Sequence, residues 1–211
     1  MKQEFTQAFR APWIFFVSRV VYFWFRVCCR GGALNASSIE SIKANGFVIV
    51  ANHVSYLDWL VLWGYLQVDH GITPKFVAKE KLFKHPIWRT VVNSNTSVKV
   101  SDSGDQISLA EYKQLRRSKF IVIFPEGTRS RDGRLGPFKD GAVKLAGKLR
   151  VPIVPIGLVG FFEAWPVDQS FPLPRKCWIS VGEPIDTSQS IPTSPELRSA
   201  VNALLTSQET V

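Results

Sequence analysis

Short, unbroken apolar runs alternate along this chain with stretches in which apolar residues recur every three or four positions. The runs 47–51 (FVIVA), 76–78 (FVA), 120–124 (FIVIF), 153–156 (IVPI) and 178–181 (WISV) have the length and β-branched content of strands buried on both faces. Between them the spacing predicts helices over about 56–66, 86–93, 105–117 and 138–149, with Lys144 and Lys148 four apart on one face of the last. A final helix is expected to start with Ser194 as its cap and Pro195 at its first position. It carries Leu197, Val201, Leu204 and Leu205 at i, i+4, i+7 and i+8. Strands that alternate with helices over short connections predict an α/β fold with a mostly parallel central sheet flanked by helices. No internal repeat or long linker interrupts the pattern. The Ser/Thr/Pro-rich stretch 186–195 reads as the loosest part, and 206–211 is expected to fray.

Residues 11–29 (APWIFFVSRVVYFWFRVCC) break this rhythm. The segment is apolar enough for a membrane, yet Arg19 and Arg26 lie inside it, and no small-x-small cleavage pattern follows, which argues against a signal peptide. At 100° per residue, Arg19, Arg26 and Arg30 fall in one narrow sector of a helix. A spanning helix would bury two guanidinium groups at about 2.5–3.5 kcal/mol each, so a helix lying in the interface is cheaper. The expectation is an N-terminal amphipathic, membrane-anchoring helical segment within residues 1–31, ended by Gly31 and Gly32, followed by one globular domain over 32–211.

Composition narrows the partners. The 26 Lys and Arg against 17 Asp and Glu leave a formal charge of +9, which favours phospholipid headgroups, coenzyme phosphates, acidic carriers or nucleic acid. The 15 Phe and 7 Trp concentrate near the N-terminus and around 56–65 instead of alternating with basic residues, so a nucleic-acid groove is not expected. Three cysteines, Cys28, Cys29 and Cys177, form neither an even disulfide framework nor a metal-ligand spacing. A reducing compartment and the cytoplasmic face of a membrane are the expected setting. Phosphate loops of the G-x-x-x-x-G-K-[ST] type, G-x-S-x-G elbows, H-E-x-x-H zinc sites and C-x-x-C pairs are all missing from the sequence, so no metal or cofactor is expected.

What remains is chemistry without a nucleophilic side chain. Asn52-His53-Val54-Ser55-Tyr56-Leu57-Asp58 follows the strand FVIVA directly and leads into an aromatic helix, the place where α/β folds put ligands. Asp58, one and a half turns on, can take the Nδ1 proton of His53 and leave Nε2 as a general base for a hydroxyl. His70 and His85 have no comparably placed acid in sequence. A second segment, Phe124-Pro125-Glu126-Gly127-Thr128-Arg129-Ser130-Arg131, also follows an apolar strand. Gly127 permits close backbone approach, Thr128 and Ser130 offer hydroxyls, and Arg129 and Arg131 offer planar cationic forks, so the segment reads as an anion site. Asp132-Gly133 resembles an ordinary turn, which leaves Arg131 to solvent. Candidate oxyanion donors are backbone N–H groups near Gly127 or at the start of the helix after Ser55. Arg116, Arg117, Lys119, Lys144 and Lys148 are candidates for coenzyme phosphates or an acidic carrier.

Together these residues resemble the glycerolipid acyltransferase family of the 1-acylglycerol-3-phosphate acyltransferase type. Four blocks run in order: N-H-x-x-x-x-D at 52–58, F-V-A-K-x-x-L-F-x-x-P at 76–86, F-P-E-G-T-R-S at 124–130 and V-P-I-V-P-I at 151–156, with FKDGAVKLA at 138–146 joining the last two. The resemblance covers about residues 40–185. It implies that His53 and Asp58 are catalytic, that Lys79, Glu126, Gly127, Thr128, Arg129 and Ser130 bind the acceptor, and that Pro155 shapes the acyl-side pocket. It also implies a lysolipid acceptor in a membrane and acyl-CoA or acyl-carrier protein as donor, with 32–211 as the catalytic domain. One position departs from the pattern. Where relatives acting on lysophosphatidic acid close the second block on arginine, this chain has Asp102. Lys99 or Arg89 is the expected substitute, and a different lysolipid acceptor, such as a lyso-aminolipid, is the alternative. A catalytically idle membrane-binding protein is the alternative from another class, against which His53, Asp58, Glu126 and Gly127 are all intact.

Overall fold

The computed structural model describes residues 12–84, 96–101 and 107–207. Seven strands, β1 (Gly32–Leu34), β2 (Phe47–Ala51), β3 (Lys75–Lys79), β4 (Ser97–Val100), β5 (Phe120–Ile123), β6 (Ile153–Val159) and β7 (Trp178–Val181), form one sheet in the order β1-β7-β6-β2-β5-β3-β4. Every neighbouring pair is parallel except β6 with β7. The five strands legible as apolar runs are joined by two others, β1 and β4. Both lie at sheet edges, where GAL and SVKV need no continuous apolar run.

Alternate residues of β2 show how the layers are built. Phe47, Ile49 and Ala51 face one core with Tyr22, Phe25, Leu62 and Leu66, whereas Val48 and Val50 face a second core with Leu115, Leu145, Leu197 and Val201. Helices α1 (Pro12–Val27) and α3 (Leu57–Val68) cover the first face. Helices α5 (Leu109–Arg117), α6 (Gly141–Leu149) and α8 (Ser194–Thr206) cover the second. Short helices α2 (Ser37–Ile42), α4 (Glu80–Lys84) and α7 (Phe161–Ala164) fill connections. The expected helix over 86–93 lies outside the described residues.

Helix α1 is not a detached anchor. Ser18, Tyr22, Phe25 and Cys29 are buried, and Gly64 lets the backbone of α3 approach so closely that any Cβ there would collide with Tyr22. The Tyr22 hydroxyl donates to Asp69 Oδ2 at 2.6 Å. On the outward side Phe16, Val20, Phe23 and Val27 make an exposed apolar stripe at i, i+4, i+7 and i+11, with both phenylalanines 69% exposed. Arg19 and Arg26 are exposed beside the stripe, while Arg30 lies beyond the helix and makes the left-handed turn (φ 49°) expected of a glycine. No described helix is long and apolar enough to cross a membrane.

The cap of the last helix differs from expectation by one residue. Thr193 caps α8 in a reciprocal box with Glu196, whose Oε2 accepts from Thr193 N at 2.7 Å. Ser194 instead donates its hydroxyl to Asp140 Oδ1 at 2.6 Å, tying α8 to the start of α6.

Candidate active site

Because β3, β5 and β2 are adjacent and parallel, the segments leaving their carboxyl ends open on one edge of the sheet. Asn52 ends β2 as a peptide mimic. Its Nδ2 donates to Leu158 O at 3.1 Å and its Oδ1 accepts from Leu158 N at 2.7 Å, so it continues the β2–β6 pairing and fixes the chain just before His53. The imidazole of His53 then lies flat on Phe124, with centroids 4.3 Å apart and planes at 15°.

His53 Nδ1 is 2.7 Å from Asp58 Oδ2. The same oxygen accepts from Val54 N at 2.7 Å and Ser55 N at 2.9 Å. Asp58 is fully buried while the His53 side chain keeps 19% of its surface open. Two backbone donors fix the position of that oxygen against His53 Nδ1, an arrangement that suits a ring proton on Nδ1 and Nε2 turned to the cavity that His53 lines. The amides of Val54 and Ser55 are therefore not oxyanion donors. Gly127 N is also committed, to Phe124 O at 3.0 Å.

The second motif clamps the first. Glu126 Oε1 accepts from His53 N at 2.7 Å and Ser130 N donates to His53 O at 2.8 Å, so both backbone groups of the histidine are held by the segment after β5. Glu126 Oε2 accepts from Gly136 N at 2.9 Å, and Arg198 of α8 donates to the carbonyls of Gly136 and Leu135 at 2.9 and 2.7 Å. Burial raises the Glu126 carboxyl above its ordinary range, against the pull of the two amides. Glu126 and Ser130 are thus placed behind the cavity and not on its wall. The Ser130 hydroxyl donates to Asp132 Oδ1 at 2.9 Å.

A glutamine at 126 keeps the shape but turns an amino group toward one of the two amides. Leaving one buried amide unpaired costs about 1–3 kcal/mol, or roughly 2–4 °C of melting temperature per kcal/mol at this size. Glu126→Gln is expected to lower the melting temperature accordingly and to reduce kcat more than it raises KM for the acceptor. A rise in acceptor KM alone, with melting unchanged, would mean that Glu126 touches the acceptor directly.

The cavity at this edge has a volume of about 330 Å³. Trp59, Trp63, Phe76, Leu82, Ile123 and Leu145 give it an apolar wall, and Lys79, Lys81, Arg129 and Lys139 give it cations. No carboxylate is among the described residues that line it. Of the residues assigned to the acceptor from the sequence, Lys79, Gly127, Thr128 and Arg129 line the cavity. Arg129 lies over the Tyr56 ring at 3.7 Å from its centroid, and Tyr56 in turn packs on Trp165. Gly127 takes φ +68°, which a side chain strains.

Several expectations land elsewhere. Lys119 O accepts from Phe47 N at the opposite end of β2, so Lys119, Arg116 and Arg117 belong to the far edge of the sheet. Lys144 is 3.6 Å from Asp140 on an exposed face. Lys99 is directed to Glu111, 3.8 Å away, and does not line the cavity. Arg89 and Asp102 lie outside the described residues. His70 does have an acidic partner, Glu40 Oε1 at 2.6 Å, brought from α2. Neither residue of that pair lines the cavity. Asn52, Phe124, Tyr56 and Lys139 carry no separate signal in the sequence, because their partners Leu158, His53, Arg129 and the segment of Gly127 are brought to them by the fold.

The family model described as Acyltransferase matches residues 33–159. A chloroplastic 1-acyl-sn-glycerol-3-phosphate acyltransferase of Brassica napus is 37% identical over 123 residues, covering 56% of this chain and 34% of the relative. Its counterpart from Arabidopsis thaliana is 34% identical over 139 residues, covering 63% and 38%. The chain thus spans little more than a third of the length of these relatives. The crystal structure of the 1-acyl-sn-glycerophosphate (LPA) acyltransferase PlsC from Thermotoga maritima aligns with a TM-score of 0.72 and 25% identity, covering 96% of this chain and 79% of that one. The matched region takes in His53, Asp58, the segment that clamps them and the strands that carry both, and on that match the chain belongs to the Acyltransferase family.

Proposed function

We propose that this chain moves a fatty acyl group from acyl-CoA or acyl-carrier protein to the free hydroxyl of 1-acylglycerol 3-phosphate, giving phosphatidic acid, with His53 as general base. The observation that carries the reading is the 2.7 Å contact of His53 Nδ1 with buried Asp58, beside an apolar cavity lined by Lys79, Lys81, Arg129 and Lys139. In the reaction His53 Nε2 takes the proton as the acceptor oxygen attacks the thioester carbon. The C–O bond forms, the C–S bond breaks as the tetrahedral intermediate collapses, and the imidazolium returns its proton to the leaving thiolate. Asp58 holds the tautomer before attack and stabilises the imidazolium after it. The donor is a substrate, and the route needs neither a cofactor nor a covalent enzyme intermediate.

Lys79 and Arg129 are the groups we assign to the acceptor phosphate, Lys79 as a point charge and Arg129 as a fork held in place by Tyr56. The test is transfer from labelled palmitoyl-CoA, then from palmitoyl-acyl-carrier protein, by purified protein in detergent to a panel of lysolipids. Lysophosphatidic acid is expected to be the preferred acceptor. Preference for another lysolipid would replace the acceptor, and transfer to none from either donor would sink the reading.

The same reading sets the protein on the cytoplasmic face of a membrane. Residues up to 31 serve as the membrane-associated part, α1 lies in the interface, and 32–211 is the catalytic domain. The exposed stripe of Phe16, Val20, Phe23 and Val27, flanked by Arg19 and Arg26, supports it. Changing Phe16 and Phe23 to glutamate together is expected to cut sedimentation with vesicles containing anionic phospholipid by about tenfold or more, since each buried aromatic contributes roughly 1.5–3 kcal/mol. Unchanged sedimentation would remove α1 from the membrane contact.

A further inference from the structure

We propose that the loop between α7 and β7 dips its apolar tip, Phe171-Pro172-Leu173-Pro174, into a bilayer containing anionic phospholipid and so holds the catalytic edge of the sheet against the membrane. The inference deepens the membrane-face reading, on which it rests, by adding a second contact beside the cavity.

The fold puts the loop at that edge. β6 is parallel to β2, so the chain leaving its carboxyl end comes out where His53 lies. Trp165 fastens the start of the loop to the site. Its carbonyl accepts from Ser55 Oγ at 2.7 Å, and its ring packs on Tyr56, which carries Arg129 on its face. Leu173 N donates to Ala164 O at 2.7 Å, which closes 165–172 into a compact loop, and Trp165 Nε1 donates to Gln169 O at 2.9 Å across it. The tip is therefore a fixed projection. β1 and β7 pair from Gly32 and Trp178 onward, so the chain leaving α1 and the chain leaving the loop enter the sheet side by side.

The chemistry of the tip fits hydrocarbon. Phe171 is 79% exposed and Leu173 37%, but scattered exposed apolar side chains are ordinary, and the backbone decides the matter. A backbone N–H without a partner is costly in lipid. Pro172 and Pro174 have none, Leu173 N is given to Ala164 O, and Arg175 N donates to Leu173 O at 2.8 Å. Across 172–175 every backbone donor is thus either missing or paired, a condition that water does not impose. Arg175 and Lys176 follow at once and are exposed, where long basic side chains reach back to lipid phosphates. Asp168, exposed before the tip, sets the limit of insertion, because a carboxylate stays in water.

The experiment places the environment-sensitive dye NBD on one cysteine of the full chain. Cys29 and Cys177 are buried, so Phe171→Cys in a Cys28→Ser background offers one accessible thiol, and Lys113→Cys on α5, over the other face of the sheet, is the control. On vesicles of phosphatidylcholine and phosphatidylglycerol the dye at 171 is expected to shift to the blue and to become protected from iodide, whereas the dye at 113 is expected to do neither. Phe171→Ser combined with Leu173→Ser is expected to weaken sedimentation with the same vesicles by about tenfold, the scale of one large apolar side chain buried. Its melting temperature is expected to stay at the wild-type value, since the Phe171 ring packs on little of the protein. A dye at 171 that stays in water on vesicles that sediment the protein overturns the proposal and leaves the contact to α1. Equal shifts at 171 and 113 overturn it too, because the dye would then be reporting its own affinity for lipid. Wild type that does not sediment at all overturns it together with the membrane-face reading. If the tip inserts but no acyl transfer is found, the contact stands and the acyl-transfer reading falls.

Discussion

Replacing His53 by alanine is expected to lower acyl transfer by roughly 10²- to 10⁴-fold, the usual weight of a general base, and to leave the fold intact. The ring packs on Phe124 and borders the cavity with 19% of its side chain open, so its loss removes one stacking contact and the Nδ1 bond to Asp58 and opens no core void. The backbone bonds of this residue, to Glu126 and from Ser130, are kept by alanine. Asp58 keeps the amides of Val54 and Ser55. Melting temperature is therefore expected to change by only a few degrees while kcat collapses. A variant retaining a third or more of the wild-type rate would show that the acceptor proton goes elsewhere.

Asp58→Asn is expected to lose activity on a similar scale for a different reason. One carboxylate oxygen accepts three N–H groups, those of His53 Nδ1, Val54 and Ser55. The asparagine carbonyl can take that place and hold the same donors, but it brings no charge to stabilise the imidazolium. If the amide is turned round, its NH₂ demands a lone pair on Nδ1, puts the ring proton on Nε2 and abolishes the base. Either way kcat is expected to fall by about 10²–10⁴. Asp58→Ala would further leave two buried backbone donors unpaired at about 1–3 kcal/mol each, so it should melt well below Asp58→Asn at comparable inactivity. Equal melting of the two variants would mean that the amides find water, and the carboxylate would then have less structural weight than its burial implies.

Local pattern made much of this molecule readable. β2, β5 and β6 are continuous apolar runs because helices cover both their faces, and a sheet buried in that way leaves a plain signal. His53 and Asp58 were readable as a pair because five residues across a strand-to-helix turn bring them together without help from the rest of the chain. Edge strands β1 and β4 carry no such signal. The left-handed turn after α1 at Arg30, where a glycine was expected, is set by tertiary contacts, with the Phe25 ring packed over Gly31. The anion segment was recognised by its residue types, but its division of labour was not. Arg129 and Gly127 line the cavity, whereas Glu126 turns back to hold His53 N and Gly136 N. Only the parallel pairing of β2 with β5 sets those partners side by side. Lys139 shows the same limit, since its convergence with Lys79 joins the exit of β3 to the approach to α6.

In the proposed reaction acyl transfer occurs in one displacement, with His53 activating the acceptor and no acyl-enzyme. The most direct test measures thiol release from palmitoyl-CoA and lipid product in the same reaction, with and without lysophosphatidic acid, alongside the intact mass of the protein. Thiol release is expected to depend on the acceptor, to match product one for one and to leave the protein mass unchanged. A burst of thiol without acceptor, accompanied by a palmitoyl adduct on the protein, would contradict it.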